Sequence, residues 1–296
     1  MPSEVIAVFG PTASGKTAVA EALADALGTE VVSTDAMQVY EGLPILTNQP
    51  DRPTRLVAVW PLSHEGSVGE FQNLAHAAID ELVATSGTAV VAGGTGLYLR
   101  AALAELDLPP APDAGARARW GAVYDEDADA AFAELERRDP TAAALVHRND
   151  RRRVVRALEL AEVGASLAPG ESRLWSGETR RPTLVVGLDV PKAELDRRID
   201  ERTDEMFRRG VVDEVRAALR NGRVSRTAAK TLGLRDISEL RTDEARERIA
   251  LRTRRYAAYQ RKWMRRIPGI VMICAGSASP RPPAEVAGEI LRLARR

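Results

Sequence analysis

One cysteine in 296 residues leaves no internal disulfide to be made, and Cys274 has no cysteine or histidine around it at metal-ligand spacing. It reads as a small buried apolar residue. Long hydrophobic runs are missing as well. No stretch approaches the roughly 18 apolar residues of a membrane span, and the N-terminus passes directly into a strand-like run without a basic segment and an apolar signal core. The expectation is a cytoplasmic protein. No repeat of fixed period and no low-complexity tail is visible, which sets aside solenoid and disordered classes. A net charge is also lacking, but the zero hides a division. Residues 1–110 hold 4 Lys+Arg against 13 Asp+Glu, whereas residues 111–296 hold 38 against 29. The second, basic part is the candidate for meeting an anion larger than a nucleotide.

Against these absences stands one strong motif. Residues 9–17 read FGPTASGKT and fill the pattern G-x-x-x-x-G-K-[ST] with Gly10, Gly15, Lys16 and Thr17. In such a loop, here Gly10, Pro11, Thr12, Ala13, Ser14 and Gly15, backbone N–H groups cradle a di- or triphosphate. The lysine reaches the outer oxygens and the hydroxyl holds Mg²⁺. The apolar run EVIAVF precedes it and the helix former AVAEALADAL follows. A glycine turn that only caps a helix is the alternative, and the strand-loop-helix order argues against it.

Short β-like runs recur at 4–9, 30–33, 56–60, 88–92, 183–189 and 270–274, with helix-forming sequence between most of them. This predicts an α/β fold, a mainly parallel sheet flanked by helices of the P-loop NTPase-like kind. Residues 111–181 break the alternation. They open within PPAPDAG, pass through ARARWGAVYDED, AAFAELERR and RRRVVRALELAEVG, and close with the loop-like APGES and GETRRP. A helical insertion domain is expected there, between a first part of the core at 1–110 and its completion at 182–296. Within that last part, SASPRPP reads as a short linker before a final helix.

Three further segments bear on chemistry. Asp35 lies just past the second strand, and in open α/β sheets ligands sit outside the carboxyl ends of strands, so it shares a crevice with the glycine loop. A carboxylate there can take a proton from an acceptor or hold its hydroxyls; a turn-forming aspartate is the alternative. In GGTGLYLRAA (93–102), Gly93 and Gly94 allow a backbone to come close to a ligand, and Thr95 can cap the next helix or bond a substrate. RIALRTRRYAAYQRKWMRR (248–266) carries eight positive charges and no acid, interleaved with Tyr256, Tyr259 and Trp263. Such a helix can track a phosphate backbone and offer stacking surfaces; a solvated face with its aromatics in the core is the alternative. To this point kinases, NTPases and other phosphate-handling transferases stay open, as does an RNA-binding protein with a vestigial loop.

The segments GPTASGKT, DAMQVY (35–40), GGTGLYLRAA, DPTAAALVHRNDRRRVVRALEL (139–160) and RYAAYQRKWMRR occur in order from Val5 to about Pro268. Together they resemble the bacterial tRNA dimethylallyltransferases. The resemblance implies that the loop grips the pyrophosphate of dimethylallyl diphosphate rather than ATP. The prenyl group then moves to the exocyclic N6 amine of the adenosine 3′-adjacent to the anticodon. It implies Lys16 and the loop amides on the leaving group, Thr17 on Mg²⁺, Arg216 on the diphosphate and Asp35 as general base. It also implies contacts to the tRNA anticodon stem-loop from Asp35, Ala36, Met37, Gln38, Thr95, Arg117, Arg152, Arg153, Arg156, Lys230, Gly233 and Arg235. A monomer is expected. The chemistry suits these roles: breaking an allylic C–O bond builds negative charge on pyrophosphate, which preorganised cations stabilise. The adenine must also leave the anticodon-loop stack to be reached.

Two positions depart from the family pattern. Thr47-Asn48-Gln49-Pro50 stands where Thr-Ala-Lys-Pro is usual, so a basic residue is missing, and Gly233-Leu234-Arg235 lacks the usual tyrosine after glycine. The rivals are an adenylate isopentenyltransferase, which has no use for the insertion or the basic helix, and a P-loop kinase consuming ATP.

Overall fold

Apolar runs such as VIAVF and AVVAG have no polar face to leave in water, which suits strands of a parallel sheet covered on both sides. In the computed structural model, which describes residues 3–110, 113–168, 174, 176–220, 222–276 and 281–295, they form the centre of such a sheet. Its strands are β1 (Val5–Phe9), β2 (Val31–Ser33), β3 (Ala89–Gly93), β4 (Thr183–Asp189) and β5 (Val271–Cys274). All pairs are parallel and the order is β2-β3-β1-β4-β5. The helices in chain order are α1 (Lys16–Leu27), α2 (Pro44–Thr47), α3 (Val68–Ser86), α4 (Gly96–Leu103), α5 (Ala114–Glu126), α6 (Ala128–Arg138) and α7 (Pro140–Leu145). There follow α8 (Arg151–Glu162), α9 (Lys192–Arg208), α10 (Val211–Arg220), α11 (Leu234–Glu239), α12 (Thr242–Met264) and α13 (Pro283–Ala294). The loop expected at 168–172 and the linker at 277–283 fall largely outside the described residues.

The chain divides into two units, one of Met1–Glu105 with Leu174–Arg296 and one of Leu106–Arg173. The second unit therefore starts and ends several residues earlier than the expected 111–181, and GETRRP belongs to the first. Its Arg180 N–H bonds to the Leu103 carbonyl at 2.8 Å, and Arg181 pairs with Asp80 and Glu4, which tie that segment to the sheet unit.

In the sheet unit, alternate residues of the strands (Ile6, Val8, Val90, Val186, Leu188, Ile273) join Val19, Leu23, Val286 and Ile290 of α1 and α13 in one core. A second core lies among α2, α9, α10, α11 and α12, where Leu46, Met206, Val215, Leu234 and Ile249 meet. In the other unit each of α5, α6, α7 and α8 begins at an aspartate. The carboxylates of Asp113, Asp127, Asp139 and Asp150 accept from first-turn amides, which a helix otherwise leaves unpaired. Leu135, Val154 and Leu158 fill the space between these helices.

Two sequence expectations fail here. The run LVAVW at 56–60 is not a strand: Leu56 and Ala58 have φ of 63° and 51°, which breaks the extended backbone, and in place of a ladder it has the isolated bridge Tyr40↔Trp60 and a few amide bonds to Gln38 and Val39. Leu56 and Trp60 are nonetheless buried, so the apolar run reported burial rather than pleat. Cys274 is exposed, because on the edge strand β5 the inward position belongs to Ile273 and its neighbours point out.

Candidate active site

The loops after β1, β2 and β3 leave the same edge of the sheet and bring residues 10–17, 34–40 and 94–95 together. Gly15, at φ 86°, turns the glycine loop into α1 in a backbone region that side chains disfavour. The result is a cavity of about 410 Å³ lined by residues of the loop and of α1, α2, α9 and α12. Thr12, Ala13, Gly15, Lys16 and Thr17 lie on its wall together with Asp35, Met37 and Gln38. Ser14 sits behind, its hydroxyl buried without a partner among the described residues.

The cavity is built for an anion. Burial lowers the Lys16 ammonium to about 8; Asp35 opposes that shift and Arg202 adds to it. Arg202 is likewise pushed down by burial, with Asp35 pulling the other way. Its Nη1 donates to Thr12 Oγ1 at 2.9 Å. One turn earlier on α9, Arg198 pairs through Nε with Glu194 at 2.7 Å and keeps a buried Nη2 without a hydrogen-bond partner. Positive groups held out of water in this way favour a bound polyanion. Next to them the wall is apolar, formed by Leu46, Ile199, Met206, Leu232 and Ile249.

Asp35 is held by its neighbours. Its N–H donates to Ser33 Oγ at 3.3 Å, and its Oδ1 accepts from the Met37 N–H at 2.9 Å. The Ala36 N–H donates to Thr95 Oγ1 at 3.3 Å, and the Tyr256 hydroxyl lies 3.2 Å from the same oxygen. Burial, with Asp35 nearby, raises the Tyr256 phenol and keeps it neutral. Thr95 thus precedes α4 without capping it through its side chain. Gln38 donates to the carbonyls of Thr47 and Asn48 at 3.3 and 2.7 Å, while Gln49 donates back to those of Gln38 and Tyr40 at 3.2 and 2.8 Å. The unusual Asn48-Gln49 pair therefore takes the place of a cation with a reciprocal clamp on the segment 38–40.

Other expected residues lie elsewhere. Arg216 is not among the residues lining the cavity: its side chain is 63% exposed and its nearest acid is Asp213 at 4.0 Å. Arg202 and Arg198 line the cavity where it does not. They carry no local signal beyond an i, i+4 arginine pair on a helix rich in charged residues. Gly233 caps α11 at φ 94° against Leu46 and Ile249, and Leu234 fills the core where a tyrosine is usual. Lys230 is exposed, and Arg235 is too, paired with Glu239 at 2.6 Å. In the Leu106–Arg173 unit, Arg117 and Arg156 both bond Glu159, Arg153 lies 3.6 Å from Asp150, and Arg152 is exposed. Of the three aromatics on α12 only Tyr259, 55% exposed, offers its ring to solvent; Tyr256 lines the cavity and Trp263 packs on Gly96. The helix is also less bare of acids than its sequence suggests, since Arg252, Arg254 and Arg261 pair with Asp236, Asp200 and Asp189 from other elements.

No helix among the described residues is long and apolar enough to cross a membrane, and no cluster of three His, Cys, Asp or Glu that could hold a metal occurs among them. The family model described as IPP transferase matches residues 38–267, and that of isopentenyl transferase matches residues 3–54. A tRNA dimethylallyltransferase of Thermobifida fusca is 40% identical over 286 residues, 90% of this chain and 89% of the relative. One of Rhodococcus jostii is 42% identical over 275 residues, 88% of each chain. Among solved structures, the tRNA isopentenylpyrophosphate transferase of Bacillus halodurans superposes with a TM-score of 0.67 at 28% identity, over 99% of this chain and 98% of that one. Motif order, parallel-sheet topology and identity over nearly the full length agree, and the chain belongs to the tRNA dimethylallyltransferase family of IPP transferases.

Proposed function

We propose that this protein transfers the dimethylallyl group of dimethylallyl diphosphate to the exocyclic N6 amine of the adenosine 3′-adjacent to the anticodon in tRNA, releasing pyrophosphate. The observation that carries the reading is the cavity itself: cations out of water on one wall, an apolar wall beside them, and one carboxylate at the edge of both. Lys16, Arg202 and Arg198 hold the diphosphate and stabilise the charge that grows on it as the allylic C–O bond breaks. Leu46, Met206 and Ile249 surround the prenyl chain and keep water from the cation. Asp35 takes the proton that the amine loses as the C–N bond forms.

Thr17, which lines the cavity beside Lys16, would help to hold Mg²⁺ there through its hydroxyl. When bound there, Mg²⁺ adds charge neutralisation on the leaving pyrophosphate. The segment Asp35–Gln38, Thr95 and the exposed Lys230 and Arg235 contact the tRNA, as do Arg117, Arg152, Arg153 and Arg156.

The test is incubation of the purified protein with dimethylallyl diphosphate and tRNA without ATP, followed by mass analysis of the tRNA nucleosides. The expected product is prenylated adenosine. In parallel incubations, modified AMP where AMP replaces tRNA, with tRNA left unmodified, would favour a free-nucleotide prenyltransferase, and consumption of added ATP with no prenyl transfer would favour a kinase. Asp35→Ala lowers kcat by about 10²-fold while leaving most of the tRNA affinity; unchanged turnover removes it as the base.

A further inference from the structure

Helix α12 sends two side chains of one face, Tyr256 and Gln260, into the site from more than 150 residues away in sequence. Gln260 is 1% exposed. Its Oε1 accepts the Thr12 N–H at 2.7 Å, and its Nε2 donates to the Gly94 carbonyl at 2.9 Å. A backbone N–H only donates and a carbonyl only accepts, so these partners define the orientation of the amide. No apolar side chain, and no ionised carboxylate, satisfies both. Thr12 is gripped twice, since its hydroxyl accepts from Arg202 on α9 while its N–H is held by Gln260. Gly94 has no room for a side chain: a Cβ there would sit 2.2 Å from Gln260 Nε2 and 3.0 Å from the Gly10 carbonyl oxygen.

One turn back, Tyr256 meets Thr95 Oγ1, which accepts from the amide next to Asp35. Residues i and i+4 on a helix are about 6 Å apart along its axis. The two contacts therefore place the glycine loop and the Asp35 loop on one rigid ruler.

From this geometry we infer that Gln260 is the positioning residue of the donor end of the site, setting the glycine loop through Thr12, and that Tyr256 positions the Asp35 end. The inference rests on the reading of the site as a prenyl diphosphate and tRNA site, and it divides one helix face into two functions.

The experiment compares Gln260→Met, Gln260→Glu and Tyr256→Phe with the parent chain. Measured are donor KM and kcat at saturating tRNA, the Kd of inorganic pyrophosphate by titration calorimetry, and thermal unfolding. Loss of both buried hydrogen bonds in Gln260→Met is expected to raise donor KM and pyrophosphate Kd by about tenfold, with tRNA KM unchanged. Gln260→Glu weakens pyrophosphate by at least as much, because a carboxylate cannot donate to the Gly94 carbonyl and adds negative charge beside the anion. Tyr256→Phe lowers kcat several-fold and leaves pyrophosphate Kd within about twofold. Either Gln260 variant folding normally with parental pyrophosphate affinity overturns the inference, as does Tyr256→Phe weakening pyrophosphate as strongly as Gln260→Met. Pyrophosphate binding is read without turnover. A parent protein that binds pyrophosphate through Gln260 but leaves tRNA unmodified therefore defeats the functional reading and spares the inference.

Discussion

Two groups of cations in this protein live under opposite conditions. In the Leu106–Arg173 unit, Arg117 and Arg156 converge on Glu159, whose carboxylate is 2% exposed, at 2.9 and 2.8 Å. Both have a carboxylate partner inside the protein, two guanidinium groups on one acid, although burial lowers Arg156 as well. Around the cavity, Lys16 and Arg202 form no ion pair among the described residues; Asp35 acts on both, yet burial pulls both below their ordinary values. A pair that satisfies itself holds a fold together, whereas buried cations kept waiting favour whatever anion arrives. Counting arginines in the sequence cannot separate the two groups; the presence of an acid partner can.

That contrast is most exposed to failure at Lys16. Lys16→Ala lowers kcat/KM for the prenyl donor by about 10²–10³-fold, as removal of a preorganised charge from a leaving group does; steady-state kinetics on donor concentration check it. Next comes the choice between two arginines. Arg202→Ala costs about 10–10²-fold in kcat/KM and weakens pyrophosphate. Arg216→Ala stays within about twofold, because its side chain is in solvent. The reverse ranking would restore Arg216 to the diphosphate and remove Arg202.

A pH profile gives the third check. With Lys16 at about 8 in the free protein, the ammonium that grips the diphosphate is lost as pH rises through that value. Donor kcat/KM therefore falls above pH about 8, and Lys16→Arg removes that fall. The stability effect has the opposite sign. An unfolded lysine titrates near 10.5, so between about 8 and 10.5 the unfolded chain holds more protons and stability rises with pH in that window.

The smallest effect concerns α12. Arg248 and Arg255 are exposed with no acid partner among the described residues, while Arg252 and Arg254 are paired. Neutralising either of the first two reduces the log–log salt slope of tRNA binding by about one unit. Neutralising Arg252 or Arg254 changes it less. Equal slopes would mean that the pairing seen here does not govern the RNA contact.

The glycine loop with its strand and helix, the place of Asp35 past the second strand and the mainly parallel sheet were readable because each is written in adjacent residues or in the alternation of elements; the strand order was not. Arg202, Tyr256 and Gln260 were not assigned, because each meets its partner across 161 to 248 residues and looks locally like any other polar position on a charged helix, and Arg198, paired with Glu194 one turn away, looks like an ordinary surface ion pair. The error at 56–60 has a different source. Hydrophobicity there was real, but Leu56 and Ala58 in the left-handed region make the segment an irregular path whose side chains anchor it, and composition does not report φ. The role that the resemblance implies for Arg216 had no local support in the sequence, and its side chain lies in solvent, outside the residues lining the cavity.

Gly94 and Gly96 lie against Gln260 and Trp263 so tightly that an added methyl at either would overlap atoms of α12 at 2.2 Å. These two stretches of chain are consequently not free to diverge independently. A larger residue at 96 is tolerated only alongside a smaller one at 263, whereas at 94 the Gly10 carbonyl oxygen 3.0 Å away blocks the exchange even with a smaller residue at 260, so a search for functional variants should randomise 96 and 263 together and leave 94 and 260 alone.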